Sequence, residues 1–288
     1  MTTTLWLESF IQAVGELPLW FKAAFAAFVL GGSLLVEVAM PNRRLEYTSW
    51  WSHARVNLTL LLFTLIITTA FGGLLAGVTD WGESNQFGLL YLANLPLWAE
   101  LVIAIMALDV MAQYVAHILL HKFRPLWRLH VVHHSDTSVD VTTGTRHHPF
   151  DFIVRELFAL ATIVALGIPL AFYALYRLIT LPFTYFVHAN IALPEPVDRI
   201  LSLVFVTPNM HKFHHHFELP WTDSNYGSVF SIWDRIFGTY VRDNIDHIRF
   251  GLNTLAGEPV GKLRFLLAVP FDPNLKRNSD LDKSPEHL

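Results

Sequence analysis

The chain has 288 residues, of which 53% are hydrophobic and only 15% charged, with a mean hydropathy of +0.39. Charged residues usually approach a quarter of a soluble domain, so this composition points to a membrane protein. A net charge of −4 and no long basic run argue against nucleic acid as a partner. The absence of cysteine removes disulfides, thiolate-ligated haem, cysteine-held iron–sulfur clusters and cysteine nucleophiles, while 15 histidines leave imidazole as the main nitrogen ligand for a transition metal.

A spanning helix needs roughly 20 apolar residues. The first residues carry no basic n-region, so no cleaved signal peptide is expected. Trp20 to Val38 predicts a first span, with Lys22 near one end and Glu37 near the other. Val56 to Val78 contains no charged side chain and predicts a second. Leu95 to Leu120 predicts a third, whose Glu100, Asp109, Gln113 and His117 mark a helix leading into a site. Phe152 to Val187 is interrupted by Gly167 and Pro169 and reads as a helical hairpin that enters and returns on one side. From Pro194 the chain turns polar and predicts a cap over the membrane helices, and the tail after Asp272 is expected to be mobile. The expected fold is an all-α integral membrane protein of about three spanning helices, a hairpin and a histidine-rich helical cap. It divides into N-terminal membrane helices (1–94), a catalytic region (95–240) and a C-terminal segment (241–288). No internal repeat is present.

Arg43, Arg44 and Arg55 lie between the first two spans, and Lys122, Arg124 and Arg128 follow the third, whereas Asp80 and Glu83 lie between the second and third. By the bias of lysine and arginine towards the cytoplasm, the histidine regions are expected on that side and the N-terminus outside.

Histidines then carry the argument. His117 and His121 are four apart, neighbours on one helix face. His130, His133 and His134 form a second set, and His211, His214 and His215 repeat its spacing with His216 appended. If these sets are helical, the adjacent pair diverges by about a quarter turn, which suits neighbours serving different metals. Between the sets lie His147-His148-Pro149 and the single His188, both placed by the hairpin. The three sets give eight histidines, and His148 with His188 make ten, with His148 preferred over His147. Ten ligands overfill one octahedral ion and fit two metals with open positions; iron is preferred over zinc, whose sites take three or four protein ligands. His53, His247 and His287 read as ordinary residues, and Glu100, Asp109 and Asp136 as possible acceptors from ligand imidazoles. Two rivals are a metal transporter, which needs polar residues spread through the bilayer, and a bis-histidine membrane cytochrome, which has no use for clustered HxxHH.

The ordered HILLH, HVVHH and HKFHH boxes resemble those of the fatty acid hydroxylase and sterol desaturase superfamily. So do Arg146-His147-His148-Pro149, Val187-His188-Ala189-Asn190 with Leu193-Pro194, Asn225-Tyr226-Gly227, and Trp233-Asp234-Arg235-Ile236-Phe237-Gly238-Thr239. The resemblance covers roughly residues 100 to 240. It implies a di-iron centre at the cytoplasmic membrane face held by His117, His121, His130, His133, His134, His211, His214 and His215, with His188 and His148. It further implies use of O2 to hydroxylate or desaturate a lipid, or to cleave an ether, with the lipid left open among sterol, fatty acyl and related classes. Electrons would come from an NAD(P)H-linked reductase through a separate cytochrome or ferredoxin-type carrier, because no His-Pro-Gly-Gly haem-binding motif is present. Some members place another histidine where this chain has Ala192, so that ligand is missing or replaced by water, Asn190 or His148.

Overall fold

The computed structural model describes residues 2–276 except 220 and 244; the tail beyond 276, and His287 with it, lies outside the described residues. In chain order the helices are α1 (Thr2–Gly15), α2 (Leu19–Ala39), α3 (Trp50–Ser84), α4 (Leu89–Leu92) and α5 (Leu97–Leu108). A π-helical turn (Asp109–Val115) runs into α6 (Ala116–Lys122), and α7 (Arg124–His134) follows. A 3-10 turn (Val141–Thr145) precedes the hairpin of α8 (Pro149–Leu166) and α9 (Leu170–His188). The cap holds α10 (Glu195–Leu201), α11 (Pro208–His214), α12 (Ile232–Ile236) and α13 (Leu263–Ala268). Among the described residues extended pairing is confined to two isolated bridges, Phe205–Phe230 and His216–Phe250.

Leu19–Ala39, Trp50–Leu92, Leu97–Lys122 and Leu170–His188 are long and apolar enough to cross a bilayer. Phe28, Leu35, Leu62 and Ile66 on these helices are exposed, the pattern of a lipid-facing surface. The chain is an all-α integral membrane protein. Three of these stretches carry the expected spans; the fourth is the returning arm of the hairpin. The 19 residues of α9 rise about 28 Å, close to the hydrocarbon thickness, so this arm is long enough to reach across the membrane.

The hairpin turns at Gly167, whose φ of 72° is left-handed. Gly88 packs directly on it: a Cβ there would lie 2.2 Å from the Gly167 nitrogen. Helix α1 is the element the sequence did not announce; it buries Ile11 and packs against α9 and α5.

Two apolar clusters fix the site between them. Leu75, Ala104, Leu108, Ala112, Ile163, Phe172 and Tyr176 join α3, α5, the π-turn, α8 and α9 inside the membrane part. Trp127, Val131 and Val132 of α7 pack on Leu60 and on Leu252, Leu255, Leu266 and Val269 of the C-terminal segment. Each buried Leu, Ile, Val or Phe among these contributes roughly 1.5–3 kcal/mol. Because α7 spends its apolar face on this second cluster, its opposite face, His130, His133 and His134, turns into the protein.

Candidate metal centre

Nine imidazoles converge at one end of the bundle in two adjacent groups. His117 and His121 of α6, His130 and His134 of α7 and His214 of α11 form the first; His133, His188, His211 and His215 form the second. The adjacent pairs His133/His134 and His214/His215 diverge, and each sends one ring to either group.

Six of the nine rings are held from behind, whereas Nδ1 of His134, His211 and His215 has no protein partner among the described residues. His117 Nδ1 donates to the Tyr226 carbonyl at 2.8 Å, His133 Nδ1 to the Arg146 carbonyl at 3.3 Å, His188 Nδ1 to Thr184 at 2.7 Å and His214 Nδ1 to Ser224 at 2.7 Å. His130 Nδ1 donates to the Asp151 carboxylate at 2.5 Å, and His121 Nδ1 to Asp223 at 3.2 Å. A carbonyl can only accept, so the proton sits on Nδ1 and Nε2 is left as a bare lone pair.

These lone pairs face one another. His117 and His130 Nε2 are 2.9 Å apart, and His133 and His188 Nε2 are 3.2 Å apart. Such contacts repel unless a proton or a cation stands among them. Burial opposes the proton: it lowers the His130 pKa to about 3. For His133, His134, His211, His214 and His215, burial first and the neighbouring imidazoles second hold the pKa well below the usual histidine value. A cation is therefore the group these residues fit. Nitrogens at adjacent corners of an octahedron stand about 3.0 Å apart for bonds of about 2.1 Å, against about 3.4 Å in a tetrahedron. The 2.9 and 3.0 Å contacts match the former, and the 3.2 Å contact falls between the two.

The centre opens on a cavity of about 590 Å³ lined at one end by His117, His133, His188 and His211. From there it runs between α2, α3 and α9, past Ala26, Leu61, Leu65 and Leu181, towards Leu170 and Val14. The histidine cluster thus sits at the head of an apolar passage within the membrane region.

Residues 101–239 match the family model for fatty acid hydroxylase. This region belongs to the fatty acid hydroxylase family. An ornithine lipid hydroxylase of Rhizobium tropici is 32% identical over 128 residues, 44% of this chain and 38% of that protein. The alkylglycerol monooxygenase of Homo sapiens is 28% identical over 261 residues, 85% of this chain and 53% of that protein. That of Danio rerio is 29% identical over 264 residues, 88% and 54% respectively. The chain spans about half the length of these curated relatives, or less. No solved structure matches.

The signature stretches of the fatty acid hydroxylase region acquire a physical reason. Asp234 accepts from the Tyr226 and Gly227 amides at 2.7 and 2.9 Å and from Thr239 Oγ1 at 2.7 Å. It therefore fixes the loop whose Tyr226 carbonyl orients His117. Gly227 is required by space: a Cβ would meet Asp234 Oδ2 and the Phe230 carbonyl, each at 2.8 Å. Asn225, at φ 50°, ties the same loop to the Met210 and Val241 carbonyls at 2.9 Å each. Arg146 is buried with its guanidinium on the Val132 carbonyl, Asn57 Oδ1, Ser135 Oγ and the Val260 carbonyl. It pins the chain whose carbonyl holds His133.

His148 is the one expected ligand brought to neither group. It caps α8, accepting from the Phe150 amide at 3.3 Å, and packs on Phe150 and Phe271. A cap residue turns its ring back over its own helix, which takes it off the centre. His147 points the other way, stacked on His133 at 4.2 Å with 11° between the planes and 3.6 Å from Asp151. With His130 and Asp151 it forms a third set of possible metal donors. His216 accepts from the Glu218 amide and stands outside the groups. Asn190 belongs to neither group: its backbone amide donates to Glu37 and its Nδ2 to the Arg43 carbonyl, while its buried Oδ1 has no protein partner among the described residues.

The acidic partners differ from those expected. Asp136 pairs with His53 at 2.9 Å, and Asp109 accepts from Tyr176 and Trp233 at 3.0 and 2.8 Å. Glu100 lies 17 positions before His117, about 25 Å along the helix. Asp151 and Asp223 hold ligand imidazoles in their place. The signal for Asp151 was available: it stands one residue after Pro149-Phe150, in the first turn of the helix that follows the His147-His148 pair.

Proposed function

We propose that this chain is a membrane oxygenase of the non-haem di-iron class that hydroxylates a C–H bond of a lipid, using O2 and electrons from a separate carrier. One observation carries the proposal: nine buried imidazoles, in two groups with lone pairs inward, head an apolar cavity in the membrane part. His117, His121, His130, His134 and His214 would hold one ion, and His133, His188, His211 and His215 the other. Iron bound there supplies the reduction of O2 and the oxidising power to attack an unactivated C–H bond.

The chain's own residues have definite tasks. Asp151, Asp223 and the four backbone carbonyls keep six of the nine imidazoles in the tautomer that offers Nε2. The apolar walls hold the lipid chain and exclude water from the reacting end. The names of the relatives, hydroxylase and monooxygenase, favour hydroxylation over desaturation. The basic residues Arg43, Arg44, Arg55, Lys122, Arg124 and Arg128 stand at the histidine end in sequence, which supports a cytoplasmic centre fed by a soluble electron carrier.

The test is elemental analysis of purified protein together with lipid mass spectrometry of cells with and without the gene, under labelled O2. About two irons per chain and a lipid heavier by one labelled oxygen are expected. Zinc in place of iron with an unchanged lipid profile would refute the reading, and a lipid lighter by two hydrogens would replace hydroxylation by desaturation.

A further inference from the structure

The cavity is apolar along most of its length but not at the centre. Beside His117 and His133 it is lined by Gln113, Arg155 and Ser228. Gln113 Oε1 accepts from Arg155 Nη1 at 3.2 Å and from Ser228 Oγ at 3.4 Å. Arg155 Nε donates to Asp151 at 3.2 Å, and only 8% of its side chain is exposed. The carboxamide oxygen being used, the Gln113 Nε2 group keeps its two N–H donors, and Arg155 keeps Nη2; neither has a protein acceptor among the described residues. Unpaired donors this deep in a membrane protein are costly unless something accepts from them.

The charged groups farther from the centre are placed differently. Arg177 pairs with Glu156 at 3.6 Å and lies over Phe152, and Tyr173 donates to the same carboxylate at 2.7 Å. Lys22 stands exposed in the first turn of α2, at the opposite end. The cavity guanidinium that is both buried and short of acceptors is thus the one next to the histidines: 8% of the Arg155 side chain is exposed, against 35% of Arg177. The π-turn brings Gln113 to the same place: its widened ring sits one turn before His117 and carries Gln113 on the same side as the metal-facing imidazole.

We propose that Gln113 and Arg155 form a head-group subsite, which takes an acceptor oxygen (ether, carbonyl or carboxylate) at the head of an alkyl chain. The tail then runs away from the centre along α9 towards Leu170, a path of about 27 Å at the helical rise. Oxidation falls on a carbon near the polar head, and the chain terminus never reaches the histidines. The inference rests on the reading of this cavity as the lipid site and adds the direction in which the lipid lies.

Photo-crosslinking in phosphatidylcholine nanodiscs tests it without turnover, on metal-free and metal-loaded protein alike. Two isomeric hexadecanoic acids serve as probes, one with a diazirine beside the chain terminus and one with it beside the carboxylate. The terminal label is expected on residues 14–15 or 170–174, and the carboxylate-side label on residues 113, 144–147 or 228. A terminal label mapped to 144–147 would reverse the orientation and overturn the inference, leaving lipid occupancy intact. Neither label in the cavity would overturn the lipid reading itself, and the inference with it. Gln113→Leu should raise the half-saturating concentration of both probes roughly five- to tenfold while leaving competition by hexadecane unchanged; equal labelling of variant and parent would count against the subsite.

Discussion

Asp151→Asn isolates the contribution of one carboxylate to the metal centre. The side chain is fully buried, accepts from His130 Nδ1 at 2.5 Å and from Arg155 Nε at 3.2 Å, and lies 3.6 Å from His147. The amide keeps the shape but removes the charge. It converts a charge-assisted hydrogen bond, worth about 1.5–3 kcal/mol, into a neutral one of about 1 kcal/mol. It can also present its NH2 to His130, which drives the imidazole proton to Nε2 and blocks that ligand. Loss of such a partner typically lowers metal affinity by about 10- to 100-fold. Asp223→Asn is the graded comparison: that carboxylate is 27% exposed and its His121 contact is longer, at 3.2 Å, so less than about tenfold is expected. Asp136→Asn is the control, equally buried but bonded to His53 and Thr143, and to no imidazole of the two groups. Titration with a competing chelator, read by plasma mass spectrometry, gives the affinities, and thermal unfolding of the metal-free proteins gives the stabilities. Asp151→Asn and Asp136→Asn should both destabilise, but only the first should release metal. Equal metal retention by the two would show that the carboxylate behind His130 does not tune the centre.

Three further outcomes follow from named contacts. Gly227→Ala forces a methyl against two oxygens at 2.8 Å, which should cost about 1–3 kcal/mol and lower metal content by moving the Tyr226 carbonyl; unfolding at an unchanged Tm would contradict the crowding. Gly72 lines the cavity and its Cβ would meet nothing within 4 Å, so Gly72→Phe should leave stability within about 0.5 kcal/mol yet reduce lipid turnover or labelling by about tenfold; full labelling would remove the cavity from the lipid path. In metal-free protein the buried imidazoles have pKa values pushed below 6.5, His130 to about 3, so the unfolded chain binds more protons as pH falls. Stability is complete above about pH 7.5 and should fall by about 1 kcal/mol per such imidazole between pH 7.5 and 5.5, measured as Tm across that range. A Tm that rises with acid would mean that the rings are protonated in the fold.

How much of this was legible in the sequence depends on whether a feature is local. His117 and His121, or His130, His133 and His134, declare themselves because helical spacing alone settles which rings share a face. The apolar runs of α2, α3 and α5 declare themselves for the same reason: membrane thickness fixes their length. What stayed hidden depends on chain geometry at one residue. His147 and His148 are adjacent, and whether the first or the second turns inward is decided by where α8 starts. That start follows from Pro149 occupying its first turn, which leaves His148 as the cap. For Asp151 the sequence offered its position, in the turn after the His147-His148 pair, but not its partner, since its contact with His130 spans 21 residues and two helices. The π-turn at Asp109–Val115 leaves no mark in an apolar periodicity, yet it lets Asp109 reach Trp233 while Gln113 faces the cavity. These hidden features share a property: each adjusts the aim of a side chain by a fraction of a helical turn. Sequence spacing therefore locates a metal centre to within a turn, whereas the choice among neighbouring donors, and with it the direction from which a lipid is met, is made by caps and irregular turns.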